Sequence, residues 1–212
     1  PHWKLTSSIS NGFSSPTAYN VLYNTNLTGN FEKFQAKELG LSYLNALQSL
    51  RMVYFETKTQ NSIDMDDNYV SSNTYSSENK GIEITGQTEW AGYRVKGSLV
   101  FQNPWSVTYD EALARRAKRY GSLDVSKSVG EYEFGSRMYA AGERKDSHWP
   151  DGVVYHQLSG YALLSVYSSK KLDKDWTARF KLDNLFDKDY QLAYGYNTPG
   201  RTLSAALVYQ PQ

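Results

Sequence analysis

Three histidines, His2, His148 and His156, and the carboxylates Asp146 and Asp151 are the residues from which a hydrolytic or metal site would have to be built. The histidines have no ligand spacing, and neither a Gly-x-Ser-x-Gly elbow nor a phosphate-binding glycine loop is present. His148, His156, Asp146 and Asp151 are near each other in sequence, so a surface protease with carboxylates and imidazoles converging on one loop end is the enzymatic alternative these residues offer. The acidic run from Asp64 to Asn68 suggests calcium, yet a loop begun at Asp64 has Tyr69 where the calcium loop needs Gly and Tyr75 where it needs Glu. A solvated loop fits it better. The expectation is therefore a non-enzyme with no catalytic residue, no metal ligands and no cofactor. The basic run from Arg115 to Arg119 is a short patch in a chain with 23 Lys and Arg against 22 Asp and Glu. That balance argues against a nucleic-acid partner and leaves anionic lipid head groups as the simpler contact.

With so little reactive chemistry, the elements that carry these residues decide the reading. In IEITGQTEW, Ile82, Ile84, Gly86, Thr88 and Trp90 alternate with Glu83, Thr85, Gln87 and Glu89. Val95, Gly97, Leu99 and Phe101 repeat the pattern after the short break AGY. Period two means strands with one apolar and one polar face. Similar segments at 176–183 and 202–209, and weaker ones at 3–9, 37–44, 50–57, 121–127, 134–139 and 161–168, give about ten strands. YDEALARRAKRY, from Tyr109 to Tyr120, is the one stretch with helical patterning.

The connections alternate in length. Short turns fall near Asn45, Ala91, Gly130 and Asp173, and the long joins run over 13–35, 63–78, 103–119, 141–159 and 186–200. Antiparallel neighbours place all short turns at one end of the sheet and all long loops at the other. An outer-membrane barrel sorts its loops in this way, with a polar face lining a wet lumen and an apolar face against lipid. A soluble β-sandwich has no reason to. The expected fold is all-β: an antiparallel transmembrane β-barrel segment of about ten strands with short periplasmic turns and long extracellular loops. No run of roughly 18 apolar residues is present for a spanning helix. Aromatics make up 15% of the chain, and Trp3, Trp90 and Trp176 lie near short-turn ends, where an interfacial girdle belongs. The absence of cysteine fits an oxidising compartment. The chain opens at Pro1 without Met or an apolar leader and reads as a mature product or a fragment.

Four further segments carry a resemblance. GFSSPTAYNVLYN, NLTGNFEKFQAKELGLSY, SSENKGIEITGQTEW and NLFDKDY before the last strand resemble, in order and spacing, segments of TonB-dependent outer-membrane receptors. Within that family, RRAKRYGSLDV, AAGERKD and NLFDKDYQLAYGYNTPGR resemble the vitamin B12 (cobalamin) receptor branch. The family's plug domain and energy-coupling box have no counterpart here, and its barrels have more strands. The resemblance therefore implies that residues 1–212 are a C-terminal portion of the receptor barrel, lacking the plug domain and the N-terminal strands.

The function this implies is active transport of cobalamin across the outer membrane of a Gram-negative bacterium, with this chain supplying wall and ligand-binding loops. A ferric-siderophore receptor is the sibling alternative. Implied partners are cobalamin or a siderophore-type small molecule, outer-membrane lipid, the receptor's own plug domain and the TonB system. By position in the matching motifs, Arg115, Trp149 and Tyr196 are the implied ligand contacts.

Overall fold

The computed structural model describes residues 2–18, 31–65, 71–148 and 154–211. Ten strands form one antiparallel sheet in chain order. They are β1 (Trp3–Ser14), β2 (Glu32–Leu44), β3 (Gln48–Met65), β4 (Ser71–Trp90), β5 (Tyr93–Ser106), β7 (Arg119–Val129), β8 (Tyr132–Ala141), β11 (Tyr161–Lys171), β12 (Trp176–Asp183) and β13 (Thr202–Tyr209). Three short strands lie in the long connections: β6 (Glu111–Ala112) pairs with β5, and β9 (Arg144–His148) pairs with β10 (Val154–Leu158) as a separate hairpin. Each of the ten segments with two-residue alternation is a sheet strand. No helix among the described residues is long and apolar enough to cross a membrane.

Side chains close two of the short turns. Asn45 Oδ1 accepts the N–H groups of Leu47 and Gln48 at 2.9 and 2.7 Å. Asp173 Oδ1 does the same for Asp175 and Trp176, both at 2.8 Å. Between β4 and β5, Ala91 and Gly92 both have positive φ, 50° and 75°. Two such residues give a turn whose twist matches that of the strands.

Register separates the faces. Leu5 pairs with Leu41, Leu41 with Met52, Met52 with Ile84, and Ile84 with Leu99, so one apolar row crosses five strands. Leu39, Tyr54, Phe101, Leu123, Met138, Phe180 and Leu207 extend this face, and all are open at the surface. A continuous apolar face of this extent belongs in hydrocarbon rather than water. At its short-turn end the rings gather in cross-strand pairs, with Trp3 4.9 Å from Tyr43 and Trp176 4.8 Å from Tyr209. Trp90 pairs with Tyr93 in the ladder. Lys127 lies over the Tyr93 ring at 4.5 Å and Lys170 over Tyr132 at 5.1 Å, long stems alongside rings at a wet boundary.

The opposite face is polar and internally bonded. Asp124 accepts from Arg137 Nε at 2.8 Å and from the Tyr167 hydroxyl at 2.9 Å. Asp183 accepts from Ser165 at 2.8 Å and pairs with Lys181 at 2.7 Å. Arg94, Lys96, Arg137 and Arg179 line a groove of about 790 Å³ on this side. Tyr167 covers Gly135 directly across the ladder, filling the space where a side chain would stand.

One expectation is corrected, and one local pattern is not realised. The join at 63–78 is largely strand: β3 and β4 stay paired as far as Met65 with Ser71, through register shifts between Thr59 and Asp64. Ser, Thr, Tyr and Asn suit an exposed ladder that projects past any membrane, and strands of 18 and 20 residues far exceed the roughly 10 that a span requires. No helix forms over 109–120 either. Asp110 and Arg115 take positive φ, 53° and 61°, which breaks the helical repeat, and β6 and turns occupy the stretch.

Candidate ligand-binding loop site

The last three long connections meet at the end of the sheet opposite the aromatic turns, and β9 is their common support. Its three successive residues Arg144, Lys145 and Asp146 each reach another segment. The Arg144 guanidinium donates from Nη2 to the Gln191 carbonyl and lies 5.4 Å over the Tyr161 ring. Lys145 forms an ion pair with Glu111 of β6. Asp146, with no exposed surface, accepts from Arg115 Nε at 2.7 Å through Oδ1 and from the Tyr194 backbone N–H at 2.6 Å through Oδ2. The Arg115 backbone is held as well, its N–H donating to the Lys145 carbonyl at 2.7 Å.

Around this junction the rings stack. His156, opposite Asp146 in the β9–β10 ladder, lies flat on Tyr194 with centroids 3.4 Å apart and planes 6° apart. Tyr161 packs on Tyr190 at 4.6 Å. Tyr161, Lys188, Tyr190, Tyr194, Asn197 and Thr198 line a cavity of about 690 Å³ between β10, β11 and the last connection. That volume falls within the roughly 300–1,000 Å³ of small-molecule sites, and its rings and amide suit a bulky amphipathic ligand.

The last connection is shaped by NLFDKDY. Asn184, at φ 49°, accepts the Lys188 N–H through Oδ1 and donates from Nδ2 to the Lys188 carbonyl, both at 2.9 Å. Asp187 Oδ1 accepts the Arg201 N–H at 2.7 Å and ties the far end of the loop to its start. Gly195, at φ 76°, and a bond from the Tyr196 N–H to the Ala193 carbonyl at 3.2 Å form the turn between them. These turn residues hold the rings of the loop in place.

The residues singled out from sequence are placed unequally. Arg115 is in the junction, its side chain 55% exposed beyond its bond to Asp146. Tyr196 lies one turn away, 67% exposed and outside the cavity lining, whereas its neighbours Tyr194 and Asn197 face the cavity. Trp149 lies outside the described residues, as do Asp151 and most of the acidic run after Asp64. Asp146 and His156, read from sequence as possible protease members, are occupied otherwise: the carboxylate by Arg115 and Tyr194, the imidazole by the Tyr194 ring. Among the described residues no group of three His, Asp or Glu side chains could hold a metal ion. Sequence reading missed Tyr161, Tyr190 and Tyr194 as site residues; the signal for the last two was the density of tyrosine in the last connection, and Tyr161 carried none.

The sequence over residues 1–185 matches the family described as TonB dependent receptor-like, beta-barrel. The chain belongs to this family. Solved structures superpose on 98% of it. The ferric-catecholate import receptor Fiu from E. coli K12 does so with a TM-score of 0.78 and 15% identity, 33% of that chain being covered. The copper transporter OprC gives 0.81 and 15%, with 37% covered. The FrpB iron transporter from Neisseria meningitidis, F3-3 variant, gives 0.80 and 16%, also with 37% covered. At such identities the likeness is one of fold, and this TonB-dependent receptor chain spans about a third of the length of those proteins. The ten-stranded sheet is thus a transmembrane barrel segment, with the aromatic short-turn end periplasmic and the site among the extracellular loops.

Proposed function

We propose that the chain is the C-terminal barrel portion of a TonB-dependent outer-membrane transporter for cobalamin, in which these loops supply part of the ligand site. One observation carries this reading. The three motifs that resemble the cobalamin-receptor branch lie far apart in sequence, and they meet at one carboxylate: Arg115 opens the first, Asp146 closes the second and Tyr194 belongs to the third. Cobalamin presents a broad corrin face rimmed by amides. Flat tyrosine rings suit the face, and Arg115 and Asn197 suit the amide oxygens as donors. In this reading Arg115, Trp149 and Tyr196 contact the ligand, the receptor's own plug domain closes the lumen, and the TonB system moves the plug. The outer membrane of a Gram-negative cell is the location.

A ferric siderophore is the second reading, favoured by the neighbour named as a ferric-catecholate import receptor and by the cation Lys188 in the cavity lining. Uptake by cells expressing the full receptor separates the two. Labelled cobalamin uptake that depends on the receptor and is not displaced by ferric catecholates supports the first; receptor-dependent iron uptake without cobalamin uptake replaces it with the second.

A further inference from the structure

We propose that Asp146 is the positioning residue of this ligand site: its buried carboxylate holds Arg115 and the Tyr194 turn, from two different loops, in the arrangement that the ligand meets. The proposal rests on the reading of these loops as a ligand site.

A carboxylate with no exposed surface is costly unless every lone-pair direction toward a donor is used. Here the two oxygens serve separate loops. Oδ1 takes the charge-assisted bond from Arg115 and Oδ2 takes the Tyr194 N–H, at 2.7 and 2.6 Å. Only an ionised carboxylate can accept on both sides in this way. An asparagine of the same shape has one oxygen and one amide nitrogen, so one of the two donors would face another donor.

Arg115 itself stands at φ 61°, a conformation that a non-glycine residue keeps only where its surroundings impose it. The imposing contacts all come from β9: the Lys145 carbonyl on its N–H and Asp146 on its Nε. Because the pairing uses Nε, the guanidinium is aimed by the carboxylate while its side chain stays more than half exposed. On the other side, the Tyr194 N–H bond fixes the ring that stacks on His156 and lines the cavity. Asp146 therefore sets the relative placement of a donor and a ring that are 79 residues apart, the difference between positions 194 and 115.

The test uses the full receptor and the variants Asp146→Asn, Asp146→Glu, Arg115→Ala and Asp146→Asn/Arg115→Ala. Amide exchange on the ligand-free protein is read over 111–118 and 190–197, and equilibrium binding is read with labelled cobalamin. Asp146→Asn, which keeps one acceptor, should speed exchange by roughly tenfold or more in the loop whose donor it loses, while the strands stay protected. It should weaken cobalamin binding by roughly tenfold, the range for a contributing contact, with Asp146→Glu falling between it and wild type. Because Arg115 acts through the pair, the double variant should bind no more weakly than Arg115→Ala alone, an outcome that general loss of structure would not give. Unchanged exchange in both loops, or losses that simply add, overturns the proposal. If wild type binds no cobalamin, the transport reading fails, and exchange alone then decides whether Asp146 orders the two loops.

Discussion

Asp146 Oδ2 accepts the backbone N–H of Tyr194 at 2.6 Å across 48 residues of sequence. The bond joins the hairpin β9–β10 to the last connection, and through Asp146 both are joined to Arg115. Truncation therefore has different consequences at the two implied ligand contacts that the structure describes. Arg115→Ala leaves a fully buried carboxylate without its cation and should loosen the loops as well as remove a donor. Tyr196→Ala removes an exposed ring and should weaken cobalamin binding by about 1–2 kcal/mol with the loops unchanged. Binding isotherms paired with loop amide exchange separate the two effects; faster exchange in the Tyr196 variant would count against this division.

The face assignment predicts unequal costs on one strand. Phe180, 54% exposed, lies four residues from the Trp176 girdle, on the apolar face, while Arg179 lines the polar groove. Phe180→Lys should cost about 2–4 kcal/mol and Arg179→Lys about 1 kcal/mol or less, measured by unfolding of the full receptor from lipid vesicles. Equal costs would invert or abolish the assignment.

Gly135 supports the ring of Tyr167 on the lumenal face. Gly135→Ala should destabilise the barrel by about 1–3 kcal/mol through crowding of that ring. In a Tyr167→Ala background the same change should be close to neutral. A denaturation midpoint that shifts equally in both backgrounds would show that the ring does not rest on the glycine.

Asn184 holds the start of the last connection with two bonds from one side chain while standing at positive φ. Asn184→Ala loses both bonds and meets backbone strain, for a local cost of about 2–4 kcal/mol. Asn184→Gly removes the strain but not the loss and should be milder. Proteolytic nicking within 184–201 reports the effect, and an Ala variant as resistant as wild type would deny the turn its role.

Much of the sheet was legible because a strand repeats every two residues. Ile82, Ile84, Val95 and Leu99 declare their face without knowledge of any partner, and Asn45 and Asp173 mark turns by local hydrogen bonding. Legibility ended where pairing replaced alternation. The Ser-rich start of β4 has no apolar face, and its ladders to β3 and β5 make it a strand. The helical look of 109–120 gave way to a short return onto β5 and to a contact with β9 that no local window contains. The site behaved likewise: its motifs were readable one by one, but Asp146 as their meeting point, and Tyr194 rather than Tyr196 at the cavity, depend on contacts across dozens of residues.

Whether these loops belong to a cobalamin receptor is decided by equilibrium binding of labelled cobalamin to the purified full-length receptor in detergent. Saturable binding at one site is expected, weakened roughly tenfold by Asp146→Asn and not displaced by a ferric catecholate. Absence of saturable cobalamin binding, with tight binding of a ferric siderophore in its place, would contradict it.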